Sequence, residues 1–127
     1  MKTAAGMSYR EVCDVETSEK PRGTILLVHG AAECGLAWSA CLPALSRHYR
    51  VIIPDLPGCG ESPAQANRSP WSMASLFDLL AVFASQLSLS DVHLVGAKFG
   101  GTLALCTAAK YPDLVRTLTV QIGRAHV

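Results

Sequence analysis

The chain has 127 residues, half of them apolar and 17% charged, with a formal net charge of +1 at pH 7. That length suits one domain with a buried core, and the composition is globular rather than disordered. Near-neutral charge gives no electrostatic case for nucleic acid or an anionic membrane as partner, and no apolar run reaches the roughly 18–20 residues of a membrane helix.

Residues 1–23 read as an N-terminal segment. Met7 to Val15 alternates weakly, as an edge strand would, and a polar turn from Thr17 to Gly23 follows. Thr24-Ile25-Leu26-Leu27-Val28 is a continuous apolar run ending at His29-Gly30, the pattern of a strand covered on both faces. Leu36 to Tyr49 places Leu36, Trp38, Leu42 and Leu45 among polar residues, which predicts an amphipathic helix with Pro43 near its start or at a kink. Arg50 to Asp55 is a second buried strand, stopped by the turn-rich Pro57-Gly58-Cys59-Gly60-Glu61-Ser62-Pro63. Ser72 is the expected N-cap of a helix running to Leu87, with Leu76, Leu79, Leu80 and Phe83 as its apolar stripe. Asp91 to Val95 is a third strand, Gly100 to Lys110 a helix of small residues, and Thr117 to Val120 a fourth strand.

Buried strands alternating with helices predict an α/β fold: a mostly parallel sheet with helices on both faces. Right-handed crossovers then bring the loops after the strands to one edge, where such sheets form their sites. His29-Gly30, Asp55 to Ser62 and Ala97 to Phe99 all fall there. The five cysteines (Cys13, Cys34, Cys41, Cys59, Cys106) are odd in number and lack C-x-x-C spacing, which argues against a zinc site or a disulfide framework and for a reducing cytoplasm. Met1 to Val12 lacks the apolar stretch of a secretory signal.

Gly96-Ala97-Lys98-Phe99-Gly100 has the spacing of a nucleophile elbow, a sharp strand-to-helix turn that exposes its central residue. The positions two before and two after the tip must be small, and Gly96 and Gly100 meet that need. With Leu27-Val28-His29-Gly30-Ala31, with Pro54 to Ser62 and with Ala108 to Val115, this segment resembles the α/β-hydrolase fold family over Thr24 to Val120, so 24–120 is read as the N-terminal part of such a domain. The resemblance implies oxyanion-hole backbone N–H groups at Ala31 and Phe99, which would steady charge developing on a carbonyl oxygen. It implies a loop-supporting, structural role for His29 and Gly30. It also implies a small-molecule substrate, with hydrolysis of esters, amides, epoxides or carbon–halogen bonds, and no cofactor or metal.

Two departures qualify that expectation. Lys98 stands where the family carries serine, cysteine or aspartate, and a protonated lysine is no nucleophile. The family's acid and histidine follow the nucleophile in sequence, yet after Lys98 the chain offers only Asp113 and His126, while His48 and His93 precede the elbow. The final segment, 121–127, lacks the periodicity before it, resembles a translated sequencing adapter, and is read as a non-native tail. The chain is therefore expected to be an incomplete and inactive hydrolase fragment, a pseudoenzyme, with the strand at Thr117 to Val120 left as an aggregation-prone edge. The alternative is a non-catalytic protein that binds a small carboxylate or other anion at the elbow through Lys98. A third chemistry, a Schiff base on Lys98, also stays open. A phosphate-binding P-loop is excluded because Gly101, not lysine, stands directly before Thr102, and a dinucleotide fingerprint because Pro63 stands where the third glycine belongs. No feature sets an oligomeric state.

Overall fold

The apolar runs form the centre of the sheet because their residues have no exposed face to serve. Ile25, Leu26, Leu27 and Val28 are all buried, as are Val51, Ile52 and Ile53 in the neighbouring strand. The computed structural model describes residues 1–63 and 71–121; of the suspected tail only Gln121 falls within them, and 122–127, with His126, lie outside. The strands are β1 (Lys2–Ala4), β2 (Met7–Val12), β3 (Thr24–Val28), β4 (Arg50–Pro54), β5 (Val92–Ala97) and β6 (Val115–Gln121). They form one sheet in the order β1-β2-β4-β3-β5-β6. β3, β4, β5 and β6 run parallel, and β1 and β2 pair antiparallel at the β4 side.

Strand alternation divides the core in two. Leu26, Val28, Ile52 and Leu94 face α2 (Met73–Gln86) and α3 (Phe99–Lys110), meeting Leu76, Leu80, Phe83 and Leu103. Ile25, Leu27, Val51 and Ile53 face the other way, against Trp38, Leu42, Leu45 and Tyr49. Helical segments thus cover both faces. Ser72 caps α2 through a reciprocal pair: its hydroxyl accepts from the Ser75 N–H at 3.0 Å, and the Ser75 hydroxyl accepts from the Ser72 N–H at 2.9 Å.

Two expectations need correction. The N-terminal segment is a hairpin rather than a single edge strand. Ala5 and Gly6 take positive φ (50° and 76°), the two-residue turn that suits twisted strands, so β1 forms the edge and β2 is paired on both sides. Nor do residues 36–49 form one helix. A 3-10 turn at Gly35–Trp38 is followed by a five-residue helix, α1 (Leu42–Ser46), with Pro43 in its first turn. Proline has no N–H for a continuing helix, so a new helix begins there instead.

Arg50 ties β2 to β4, donating to Glu11 from Nε at 2.9 Å and from Nη2 at 3.2 Å. The guanidinium holds the Glu11 carboxyl below the usual carboxylate range, while partial burial acts against it. A carboxylate with a lowered folded-state pKa stabilises the fold above its unfolded pKa and loses that contribution as pH falls through the folded value. Glu11→Gln should therefore cost about 0.5–1 kcal/mol at pH 7, with the gap closing in acid, as read by urea unfolding at both pH values.

Among the described residues β6 is hydrogen-bonded on one side only, to β5, and Thr117, Thr119 and Val120 are exposed. The chain should self-associate with rising concentration in sedimentation runs, and Thr119→Lys should shift it toward monomer. A wild-type monomer with a cooperative thermal transition would contradict this.

Candidate functional site at the β5–α3 turn

β5 ends at Ala97 and α3 begins at Phe99, so one residue makes the turn. That residue is Lys98, at φ 56° and ψ −123°. For a non-glycine side chain such a conformation costs on the order of 1–3 kcal/mol and persists only where the surroundings fix it. Here they do. The Lys98 N–H donates to the Gln121 carbonyl at 2.9 Å, and its own carbonyl accepts from the N–H groups of Gly101 and Thr102 at 2.9 and 3.3 Å.

The two glycines allow the helix to lie directly on the strands. A Cβ on Gly96 would fall 2.1 Å from the Gly100 carbonyl oxygen. A Cβ on Gly100 would fall 2.3 Å from the carbonyl oxygens of both Val28 and His29. Backbone therefore rests on backbone, with no room for a methyl group.

His29, at the end of β3, is fully buried. Its Nδ1 lies 2.7 Å from the Gly30 carbonyl, and its Nε2 accepts from the Leu56 N–H at 2.9 Å. These two bonds assign the Nδ1–H tautomer and clamp the loop after β3 to the loop after β4. Asp55 adds a second clamp, its carboxylate accepting from the N–H groups of Gly35 at 2.6 Å and Glu61 at 3.0 Å.

The loop after β3 turns back toward the tip. A Cβ on Gly30 would sit 3.1 Å from the Lys98 Cβ, so loop and elbow adjoin. Lys98 Nζ donates to Glu33 Oε1 at 2.5 Å, and the Gly30 N–H donates to Glu33 Oε2 at 3.4 Å. The Lys98 bond is the largest influence holding the Glu33 carboxyl below its usual range; partial burial opposes it, and the Gly30 N–H adds to it. The pair borders a cavity of about 170 Å³ also lined by Ala37, Trp38, Ala97 and Gln121. Trp38 Nε1 is buried without a hydrogen-bond partner among the described residues.

The residues singled out from sequence thus fall into three groups. His29, Gly30, Gly96, Lys98 and Gly100 meet at the elbow. Ala31 follows Gly30 and is exposed, and Phe99 opens α3; among the described residues neither backbone N–H donates a hydrogen bond. Asp113, His48 and His93 are elsewhere: Asp113 is exposed ahead of β6, His48 is exposed after α1, and His93 Nδ1 sits 2.7 Å from Thr117 Oγ1. Glu33 escaped the sequence reading. Its one signal was its place three residues after Gly30, facing a turn whose lysine calls for a counter-charge. Among the described residues no cluster of His, Cys, Asp and Glu has a metal-binding arrangement, and no helix is long and apolar enough to cross a membrane.

The fold of this chain is shared with known proteins. Residues 23–123 match the family model described as the alpha/beta hydrolase fold, and the chain belongs to that family. It is 37% identical over 99 residues to a 2-hydroxy-6-oxo-2,4-heptadienoate hydrolase of Pseudomonas putida, covering 76% of this chain and 36% of that protein. It is 31% identical over 106 residues to epoxide hydrolase 4 of Mus musculus, covering 84% of this chain and 30% of that protein. Among solved structures, a mutant meta-cleavage product hydrolase of Pseudomonas fluorescens IP01, complexed with acetates, superposes with a TM-score of 0.79 at 32% identity, covering 91% of this chain and 41% of that one. The chain thus spans well under half the length of each of these relatives.

Gly100→Ala tests the close approach. It should destabilise the fold by about 3 kcal/mol or more, because a methyl group would have to push α3 off two backbone carbonyls, and denaturant unfolding measures the loss.

Proposed function

We propose that Lys98 occupies the position of the family's nucleophile, that this chain carries out no acyl transfer, and that its elbow instead binds a small carboxylate. The observation that carries the reading is the ion pair at the tip. An ammonium held by a carboxylate presents no lone pair to an electrophilic carbon, so the step that opens ordinary hydrolysis has no agent. Among the described residues, Asp113, His48 and His93 lie away from the elbow.

What the elbow does provide suits an anion. Lys98 stands at the N-terminus of a 12-residue helix, the positive end of its dipole, and the Gly30 N–H already faces a carboxylate oxygen. The acetates held by the Pseudomonas fluorescens relative are in keeping with a carboxylate as ligand class. The apolar surfaces of Ala37, Trp38 and Ala97 would receive a short hydrocarbon tail. The ion pair also argues against a Schiff base, which needs a free amine.

The chain should hydrolyse p-nitrophenyl acetate no faster than buffer. Turnover above that background that vanishes in Lys98→Ala, with the fold retained by circular dichroism, would overturn the reading.

A further inference from the structure

We infer that Glu33 is the elbow's own internal ligand, a tethered carboxylate that holds the anion site closed until a free carboxylate displaces it. The inference rests on the carboxylate-binding reading above and adds to it the residue that controls the site.

Three observations converge. First, both Glu33 oxygens are engaged as a ligand's would be, Oε1 by Lys98 Nζ at 2.5 Å and Oε2 by the Gly30 N–H at 3.4 Å. Second, Glu33 reaches that position through a tight local turn. Its N–H donates to the Gly30 carbonyl at 3.2 Å, and Ala32 takes a positive φ of 59° to complete the bend. Third, the pair stands at the wall of the cavity rather than beneath it. The Lys98 side chain is 55% exposed and that of Glu33 28%, so the contact can open without unpacking the core.

Charge decides the consequence. With Glu33 in place the elbow is close to neutral, and an approaching anion gains little from Lys98. A free carboxylate must replace one charge-assisted bond with another of the same kind, so its net gain comes from the tail it lays on Ala37, Trp38 and Ala97. The class of ligand that fits is a monocarboxylate with a short apolar tail. Acetate, with almost no tail, should bind more weakly than butyrate.

The test titrates butyrate into the isotope-labelled 127-residue chain and follows the backbone amides of Gly30 and Phe99 by NMR. Glu33→Gln keeps the side chain's shape, and Glu33→Ala vacates the site. Both should tighten butyrate binding by about fivefold, the scale of losing an exposed ion-pair competitor. Asp113→Asn removes the same charge away from the elbow and should leave the affinity unchanged. Lys98→Met combined with Glu33→Gln should abolish the response. Equal or weaker binding by both Glu33 variants, with the Lys98 dependence intact, sinks the internal-ligand inference and leaves carboxylate binding standing. A gain in Asp113→Asn as large as that in Glu33→Gln also sinks it. If no variant shifts the Gly30 and Phe99 amides, carboxylate binding fails, and this inference with it.

Discussion

The first turn of α3 lies against the ends of β3 and β5 with nothing but backbone between them. Gly96 and Gly100 make that contact, at separations where any Cβ would overlap a carbonyl oxygen. The remaining features of the site follow from it. A helix set that close leaves one residue for the reversal of direction, and that residue must take a positive φ. Its side chain then projects beyond the sheet edge, beside the loop leaving β3. The buried strands beneath keep these positions in register, Leu26 beside Ile52 on one side and Leu94 on the other. The strain at Lys98 is sustained by that framework and by its bonds to Gln121, Gly101 and Thr102.

The loops around the elbow are held by polar groups that are themselves buried. His29 joins the loop after β3 to Leu56, and Asp55 joins Gly35 to Glu61. Such groups are stabilising only while each partner stays in place, because a buried donor or acceptor left alone carries its full desolvation cost. The entrance to the cavity is thus built on fixed loops, and the Lys98–Glu33 contact at its wall is the partly exposed, exchangeable element.

Much of this was legible in the sequence. Apolar runs too continuous for a half-exposed strand identified β3, β4 and β5. The Ser72 cap with its stripe identified α2, and paired glycines around one residue identified the elbow. What stayed illegible had physical causes. β1 is three residues long, too short for alternation to register, and only the Ala5-Gly6 turn hinted at it. Between residues 35 and 46, Trp38, Leu42 and Leu45 are spaced as on a helix, but they reach the sheet from two separate short segments, and Leu36 is 54% exposed. β6 extends past its predicted bounds on both sides because pairing with β5, rather than apolar content, sets its length. Glu33 could not be placed from sequence, since whether a loop carboxylate turns inward depends on the path of the loop.

That carboxylate changes what the turn can be chemically. The locus gathers donors: the Phe99 N–H, which among the described residues donates to nothing, the Gly30 N–H, and the Lys98 ammonium. In a hydrolase, donors so arranged meet negative charge only in passing, as it develops on a carbonyl oxygen, and their value lies in being unoccupied beforehand. A permanent cation at the tip alters the balance, because it favours a permanent anion. Glu33 supplies one from the loop after β3, and the Gly30 N–H turns to that carboxylate. Under the proposal that Lys98 stands at the nucleophile's position, a single residue accounts both for the absence of acyl transfer and for an anion site that is occupied at rest. A serine at the tip would need a base beside it, whereas a lysine needs a counter-ion, and the counter-ion is what the structure provides.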